Sequence, residues 1–396
     1  MRYKLGAVNI DPADVALCVA DDGPADAEGA VPASTPIVLT SLFSFPTFAA
    51  LAAAITDERH HHVYSRGQNP TVEAIERKLA TLERGEACKC FASGMAAISA
   101  VMFGLLNTGD HILFVNHVYG PTLQLARQLR RFGIEHDVQL GVSPDAVRQA
   151  LRPNTRLIWL ESPGTMMFGE VNLAAVATIA RERGILTCID NSWATPLLQK
   201  PIEHGIDLVV HTATKYIGGH GDLLAGAVVG SSEQIDRMFY RAYLLLGGAL
   251  APFEAWLMLR GLRTLPVRLA QHERDGIAVA DFLRGHRAVK QVFHPAFVKE
   301  GGVASGQLRG FAGTFSFALE RDDFGSVCRV IDALERFRIG VSWGGTESLV
   351  ISPNRGNNAG KLDEQGIPRG LVRVSVGLEG AELLIDDLSQ ALDGVA

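Results

Sequence analysis

The sequence predicts an α/β protein whose larger part is a mostly parallel sheet covered by helices on both faces. Between about residues 70 and 230, short apolar segments alternate with amphipathic helical patterns, as in parallel sheets that are buried on both faces. After about residue 250, a long helical pattern leads into shorter alternating segments, which predicts a smaller α+β domain. The length of 396 residues also exceeds what one hydrophobic core usually holds. We therefore expect an N-terminal arm over residues 1–60, an α/β domain over 61–255 and an α+β domain over 256–396.

Five strands and four helices of the larger domain can be placed from their patterns. Continuous apolar runs predict strands at 111–116, 156–162, 185–190, 206–213 and 224–230. Patterns with a period of 3.6 residues predict helices at 71–85, 93–106, 122–133 and 174–184. Ligands of parallel sheets bind beyond the carboxyl ends of the strands, so the residues that follow these strands are the candidates for a site.

The smaller domain is expected to begin with one long helix and to continue with an alternating-pattern sheet. The helix is predicted over residues 253–286. The strands of this domain are predicted at 290–296, 313–320, 340–345 and 371–378, and its further helices at 327–337 and 382–392.

The N-terminal segment lacks the periodicity of a packed element. Residues 11–36 are acidic and rich in Ala, Gly and Pro, which predicts an extended arm. Residues 37–55 regain apolar content, and we expect them to dock on a neighbouring surface.

Composition excludes several classes of function. Apolar residues make up 47% and charged residues 20% of the chain, which is typical of a globular protein in water. A net charge of −6 argues against a nucleic-acid partner, and the sequence has no run of eighteen apolar residues for a membrane span. No apolar stretch follows the basic residues at the start, so a secretory signal is not expected. The five scattered cysteines indicate reduced thiols in the cytoplasm and no zinc site: Cys18, Cys88, Cys90, Cys188 and Cys328.

Three features at strand ends and a helix start suggest one chemistry. Asp190 ends an apolar strand, and Lys215 follows the next one, where desolvation would lower its pKa and favour a neutral amine able to form a Schiff base. Ser93 and Gly94 open a buried helix whose free N–H groups suit a phosphate. An amine, a carboxylate and an anion site together are what a pyridinium aldehyde phosphate requires.

Each of these features has a simpler explanation when it is taken alone. Asp190 could serve only a strand-to-loop turn, and Lys215 could be a solvated loop lysine. Ser93 could be an ordinary helix cap. The three adjacent histidines His60–His62 cannot all face one metal ion on regular structure, so they indicate a polar loop.

The sequence resembles the PLP-dependent Cys/Met-metabolism family, which contains cystathionine β-lyase, cystathionine γ-synthase, cystathionine γ-lyase and methionine γ-lyase. The resemblance covers residues 37–390 and rests on several motifs in the family's order. These motifs are YSRGQNPT (64–71), SGM (93–95), YGPT (119–122), ESPG (161–164), DNSWATPL (190–197), ATKYIGGHGD (213–222), GLRTL (261–265), SWGGTESL (342–349) and VRVSVGLE (372–379). It implies the aminotransferase-like fold type I with a seven-stranded sheet, and pyridoxal 5′-phosphate (PLP) as the cofactor.

The resemblance also implies a role for each matching residue. Lys215 resembles the lysine that forms the imine with the cofactor, Asp190 the partner of its ring nitrogen, and Tyr119 the aromatic residue stacked on its ring. Tyr64, which the resemblance also places among the catalytic and substrate-binding residues, and Arg66 match residues that reach the phosphate of a neighbouring subunit. This implies a homo-oligomer, commonly a dimer of dimers. The positions that match phosphate-binding residues are Ser93, Gly94, Met95, Thr212 and Thr214.

The remaining matches concern the substrate. Arg373 resembles the arginine that clamps the substrate α-carboxylate, with help from the backbone of Ser342. Without the resemblance, Arg373 could be a surface charge and Tyr119 a core aromatic residue. Trp193 and Trp343 could equally serve packing.

Features of the motifs favour β-elimination of cystathionine to homocysteine, pyruvate and ammonia. The segment ESPG before TMMFGEV, the tetrad YGPT, and the tryptophans Trp193 and Trp343 resemble cystathionine β-lyases. The NPT of YSRGQNPT is more typical of γ-synthases and γ-lyases, and Gly221, Thr346 and Thr165 depart from common family residues. The alternative is therefore γ-elimination or γ-replacement on cystathionine, methionine, an O-acylhomoserine or another γ-substituted amino acid. A non-catalytic PLP-binding protein and an aminotransferase are the competing classes.

Overall fold

The computed structural model describes residues 9–20, 29–297 and 306–395. Helices of this part surround two sheets. In chain order the helices are α1 (Pro12–Val19), α2 (Phe48–Thr56), α3 (Pro70–Glu83), α4 (Gly94–Leu105), α5 (Gly120–Leu129), α6 (Pro144–Ala150), α7 (Leu173–Glu182), α8 (Thr195–Leu198), α9 (Ser232–Met238), α10 (Leu244–Leu246), α11 (Pro252–Gly285), α12 (Phe324–Ala333), α13 (Ala359–Glu364) and α14 (Ala381–Asp393). A five-residue π-helix, Phe239–Tyr243, joins α9 to α10.

The larger sheet has seven strands and is mostly parallel. Its strands are β1 (Ala87–Phe91), β2 (His111–Val115), β3 (Glu135–Gln139), β4 (Thr155–Glu161), β5 (Leu186–Asp190), β6 (Leu208–His211) and β7 (Gly226–Gly230). The spatial order is β1-β7-β6-β5-β4-β2-β3, and β7 runs antiparallel to both its neighbours. The predicted α/β class and the implied seven-stranded sheet are therefore confirmed.

Burial on both faces explains why the central strands are continuously apolar. Every residue of β2 and of β6 is buried, and side chains of the sheet contribute to two hydrophobic clusters. Parallel strands linked by helices place the carboxyl ends of β4, β5 and β6 at one edge of the sheet. That edge carries the site.

A second sheet of five strands follows the long helix α11. Its strands are β8 (Val289–Phe293), β9 (Thr314–Leu319), β10 (Arg338–Ile339), β11 (Leu349–Ile351) and β12 (Leu371–Ser375), in the order β10-β11-β12-β9-β8. The side chains of α12 and α14 share one hydrophobic cluster with this sheet. The boundaries of the three-part division at residues 60 and 255 stay a prediction.

The expectation of an extended arm over residues 11–36 is wrong at its first part. Pro12–Val19 forms helix α1, whose Asp14 and Cys18 are buried. Asp14 forms ion pairs with Lys200 at 2.8 Å and with Arg84 at 2.9 Å. A buried polar contact of this kind leaves no periodic apolar pattern, which is why the sequence pattern missed the helix. Residues 21–28 of the predicted arm lie outside the described residues.

Two further differences concern strands. The segment 340–345, predicted as a strand, is irregular, because glycines at 344 and 345 turn the chain and its side chains face the site rather than a pleated surface. The strands β1 and β3 were missed. Lys89 interrupts the apolar run of β1 and is buried against Glu76 and Gln68, while the edge strand β3 carries charged residues.

The segment 37–55, expected to dock on a neighbouring surface, is exposed on this chain at several apolar side chains. Leu39 is 74% and Phe48 is 83% accessible to solvent. Among the described helices, none is both long and apolar enough to cross a membrane.

Candidate active site

A cavity opens at the carboxyl edge of the larger sheet, where β4, β5 and β6 end against the second sheet. It encloses about 1060 Å³ of empty space, part of which is open to solvent. Residues from both sheets line it: Ser93, Gly94, Met95, Tyr119, Glu161, Pro163, Gly164, Thr165, Phe168, Asp190, Ser192, Trp193, Thr212, Thr214, Lys215, Leu224, Thr314, Val341, Trp343 and Arg373. Most of the residues singled out in the sequence therefore meet in one place.

Lys215 lies in the loop that follows β6 and projects its amine into this cavity. Its Nζ donates to Ser342 Oγ at 2.8 Å and lies 5.2 Å from the centre of the Trp343 ring. Burial and the nearby Arg373 lower the pKa of Lys215 to about 8, and the carboxylate of Asp190 opposes this change. The amine is therefore poised to lose its proton and act as a nucleophile or base near neutral pH.

Asp190 is the last residue of β5, as expected. Its Oδ1 accepts hydrogen bonds from the backbone N–H and the hydroxyl of Ser192. Burial raises the pKa of Asp190, whereas the two Ser192 donors and the neighbouring His211 and Lys215 lower it. Ser192 Oγ also accepts from the backbone N–H of Thr212 at 2.6 Å, which ties this carboxylate to the loop that carries the lysine.

The start of α4 forms a cradle of the size and polarity that a phosphate needs. Ser93 caps the helix by accepting from Ala96 N, and Ser93, Gly94 and Met95 line the cavity at this helix start. A Cβ added to Gly94 would lie 2.2 Å from Thr212 Oγ1, so only glycine allows this close approach. Thr212 and Thr214 also line the cavity, and the Thr214 hydroxyl hydrogen-bonds to the backbone of Ala225.

Arg373, in the middle of β12, brings a buried positive charge to the cavity from the second sheet. Its guanidinium donates to the backbone oxygens of Val341 and Ser342 at 3.1 Å and 3.3 Å. Burial lowers the pKa of Arg373 to about 10, which still leaves it protonated at neutral pH. Ser342 thus contacts both the lysine and the arginine, through its hydroxyl and its carbonyl respectively.

Tyr119 and the two tryptophans also lie at the cavity, whereas Tyr64 and Arg66 do not. Tyr119 stands just before α5 with its side chain 45% exposed, and Trp193 Nε1 donates to Thr314 O at 2.8 Å. Tyr64 is 44% exposed, and the Arg66 guanidinium lies 5.6 Å from its ring. Their predicted contact with a neighbouring subunit stays a prediction.

Several cavity residues were not predicted from the sequence. Glu161 ends β4 and could have been found by the same strand-end rule that selected Asp190. Phe168, Leu224, Thr314 and Val341 carry no comparable signal, because each is apolar or a strand residue whose neighbours are set by the packing of the two sheets.

An amine of lowered pKa, a carboxylate and a glycine-lined anion cradle around one cavity suit PLP, and they define a PLP enzyme of the α/β class. The phosphate would lie at the start of α4, the ring nitrogen beside Asp190 and the aldehyde carbon near Lys215.

Comparisons with known proteins agree with this class. The family model of the Cys/Met metabolism PLP-dependent enzymes matches residues 18–393. The chain is 39% identical to the cystathionine gamma-lyase of Bacillus subtilis over 84% of its length and 89% of the relative's. It is 36% identical to the cystathionine beta-lyase MetC of the same organism, with 92% of both chains covered. The crystal structure of a cystathionine gamma synthase from Xanthomonas oryzae pv. oryzae in complex with aminoacrylate and cysteine aligns with a TM-score of 0.87 at 34% identity, covering 96% of this chain and 97% of that one.

The chain therefore belongs to the Cys/Met metabolism family of PLP-dependent enzymes, and it is a carbon–sulfur lyase or synthase that uses PLP. Relatives with β-lyase, γ-lyase and γ-synthase activity match it at similar identity, so the particular reaction is a separate question.

Proposed function

We propose that this enzyme cleaves cystathionine by β-elimination to homocysteine, pyruvate and ammonia. The observation that carries the proposal is that the Lys215 amine, held 2.8 Å from Ser342 Oγ, shares one cavity with Arg373 and Asp190. One base is sufficient for β-elimination, since a single proton is removed from Cα before the thiolate leaves. Trp343 beside the lysine supports the β-lyase interpretation of the sequence motifs.

Each residue has a defined task in this proposal. The Arg373 guanidinium binds the substrate α-carboxylate and orients the Cα–H bond toward Lys215. The Lys215 amine takes the α-proton, and its lowered pKa makes it neutral often enough to do so. Asp190 would keep a proton on the ring nitrogen of the cofactor, and the start of α4 with Thr212 and Thr214 would hold its phosphate. When bound, PLP supplies the electron sink that stabilises negative charge at Cα.

A γ-elimination or γ-replacement is the second candidate. It is favoured by the 39% identity to a cystathionine gamma-lyase and by the fold shared with a cystathionine gamma synthase. These reactions require a further proton to be taken from Cβ, and the same lysine can do this once it has released the first proton.

The products formed from cystathionine distinguish the two candidates. Purified holoenzyme is incubated with cystathionine, and the thiols and 2-oxo acids are quantified. Homocysteine with pyruvate supports β-elimination, whereas cysteine with 2-oxobutyrate would contradict it and show γ-elimination. If no thiol is released from cystathionine, methionine and an O-acylhomoserine with cysteine are the next substrates to test.

We further propose a homo-oligomer, built as a dimer of dimers, in which Tyr64 and Arg66 complete the cavity of a neighbouring subunit. Two observations support this. The two residues lie outside the cavity of their own chain, and the side chains of Leu39, Leu42 and Phe48, earlier in the chain, are exposed and apolar. Light scattering measures the molar mass of the protein in solution and therefore the number of subunits. Mixing inactive Lys215→Ala subunits with Tyr64→Ala subunits tests whether subunits share residues at the cavity. Hybrid oligomers should regain part of the activity, because some cavities then contain both Lys215 and Tyr64. The cytoplasmic location stays a prediction.

A further inference from the structure

The segment that presents Tyr119 is tied to the end of β4 by two hydrogen bonds that involve Glu161. Asn116 Nδ2 donates to the backbone oxygen of Glu161 at 2.9 Å. In return, Glu161 Oε1 accepts from the backbone N–H of Tyr119 at 2.6 Å. Asn116 has a φ of 74°, in the left-handed region, and begins the bend that leads to Tyr119. Both ends of the segment are thus held by one residue of the sheet.

The Tyr119 ring depends on this backbone anchoring for its position. Its side chain is 45% exposed, so packing against other side chains holds it only partly. Tyr119 immediately precedes Gly120, the first residue of α5, and its own side chain makes no capping hydrogen bond to that helix. The carboxyl of Glu161 is therefore placed to decide where the ring points.

Glu161 is also one of two buried carboxyl groups on neighbouring strands. Glu161 and Asp190 are register partners at the ends of β4 and β5, and both line the cavity. Burial, and next the charge of Asp190, raise the pKa of Glu161 well above its ordinary value, while backbone N–H groups of Tyr119 and Thr165 lower it. Asp190 faces Ser192, His211 and Lys215, all of which favour its charged form. Burial raises the pKa of Asp190 as well.

We propose that Glu161 is the positioning residue that, by accepting from the Tyr119 N–H, fixes the Tyr119 ring over the cofactor. The proposal rests on the assignment of Tyr119 as the ring that stacks on PLP. It is independent of which sulfur amino acid is cleaved, because the positioning is complete before any substrate binds.

Two kinds of substitution separate the hydrogen bond from the charge. Glu161→Gln keeps an oxygen that accepts from the Tyr119 N–H and resembles the protonated acid. Glu161→Leu removes the acceptor and fills the space of the side chain. If the leucine variant does not fold, Glu161→Met, which has a longer side chain, serves the same purpose. Glu170→Gln is the matched control. Glu170 is also buried, burial raises its pKa to about 7, and it lies outside the cavity.

The readouts require no substrate. Amide hydrogen exchange of the segment around Tyr119 is measured in coenzyme-free protein, and the dissociation constant and visible circular dichroism of PLP are measured after reloading. We expect the glutamine and Glu170→Gln variants to match the wild type within about threefold. In Glu161→Leu, the Tyr119 amide should exchange at least about tenfold faster, PLP should bind about tenfold more weakly, and the dichroism should change.

Two outcomes would overturn the proposal. If the leucine and methionine variants keep wild-type exchange and coenzyme affinity, Glu161 does not position the tyrosine. If Glu161→Gln is as impaired as Glu161→Leu, the acceptor oxygen at this position is not what holds the tyrosine. Since the product assay on cystathionine is separate, a failure of the β-elimination proposal leaves these measurements interpretable.

Discussion

Lys215 shows how one residue acquires its reactivity from its surroundings. An ordinary lysine has a pKa of 10.5, and burial beside Arg373 brings that of Lys215 to about 8. At pH 7 roughly a tenth of the amine is then neutral, compared with well under a thousandth for an exposed lysine. The shift is limited by Asp190, which favours the charged form. The lowered pKa of Lys215 therefore follows from its burial and from the positive charge of Arg373.

Replacing the amine is the direct test of its role. Lys215→Ala is expected to lose the visible absorbance that a lysine-bound coenzyme gives, together with turnover of any sulfur amino acid. Absorbance spectra of the purified variant after incubation with PLP check this, with the exposed Lys290→Ala as control. A variant that keeps the full absorbance band would remove Lys215 from the cofactor site.

Arg373 should act on substrate binding more than on the cofactor. In the proposed function Arg373 binds the substrate carboxylate, so Arg373→Ala would remove these charged hydrogen bonds, and we expect KM to rise tens- to hundreds-fold, which corresponds to about 2–4 kcal/mol. Steady-state kinetics measure the change, with the exposed Arg287→Ala as control. An unchanged KM would mean that another group binds the carboxylate.

At the scale of elements, helix α11 supports the loop that carries Lys215. Gly261 of α11 packs against the backbone of Ile217 and Gly218, two and three residues beyond the lysine. From the same helix, Arg268 donates to Tyr216 O at 2.8 Å. The loop is thus held by backbone contact and by a buried guanidinium, which limits where the amine can lie.

A methyl group added to this contact should disturb the loop. In Gly261→Ala the new Cβ would lie 2.4 Å from Gly218 O and 2.5 Å from Ile217 O, so the helix or the loop must move. We expect a loss of stability of about 1–3 kcal/mol and weaker PLP binding. Thermal unfolding and coenzyme titration measure these effects.

The matched control for Gly261 lies in the same helix. Gly285, its last residue, has open space around a Cβ, so Gly285→Ala should be neutral or stabilise the protein by up to about 1 kcal/mol. If both variants behave alike, the contact of α11 with the loop does not position it.

Some helices and strands were predicted from the sequence, and others were not. The long helix was expected over 253–286 and spans Pro252–Gly285, because its periodic pattern extends over many turns. The strand β1 was missed because Lys89 lies in its middle, and only the tertiary partners Glu76 and Gln68 make its burial favourable. The segment 340–345 alternates like a strand but is shaped by contacts with Lys215 and Arg373.

At the scale of the whole molecule, helix α1 is attached to the larger domain through a buried ion pair. Asp14 and Lys200 are each 1% exposed, and their charged groups lie 2.8 Å apart. Lys200 also donates to the backbone oxygen of Leu82, the penultimate residue of α3, and burial lowers the pKa of Lys200. One carboxylate therefore links the start of the chain to residues far along the sequence.

Removing one partner of this ion pair should destabilise the protein more than removing both. Asp14→Ala leaves a buried lysine without its carboxylate, and we expect a loss of about 3 kcal/mol of unfolding free energy. The double variant Asp14→Ala/Lys200→Met should recover much of this loss, because the buried lysine charge is removed together with its partner. Urea unfolding of both variants checks the expectation, and equal stabilities would show that the ion pair does not hold α1 in place.

The order of apolar strands, helices and strand-end residues was determined by the sequence alone, since burial on both faces of a parallel sheet demands continuous apolar runs. That order led to the α/β class, and to Lys215, Asp190 and the start of α4 as one site. The tertiary structure decided which side chains meet across the two sheets: the contact of Lys215 with Ser342, the pairing of Glu161 with Asp190, and the packing of α1. These contacts join residues far apart in the chain, and their energies depend on distance and burial, which no local pattern encodes.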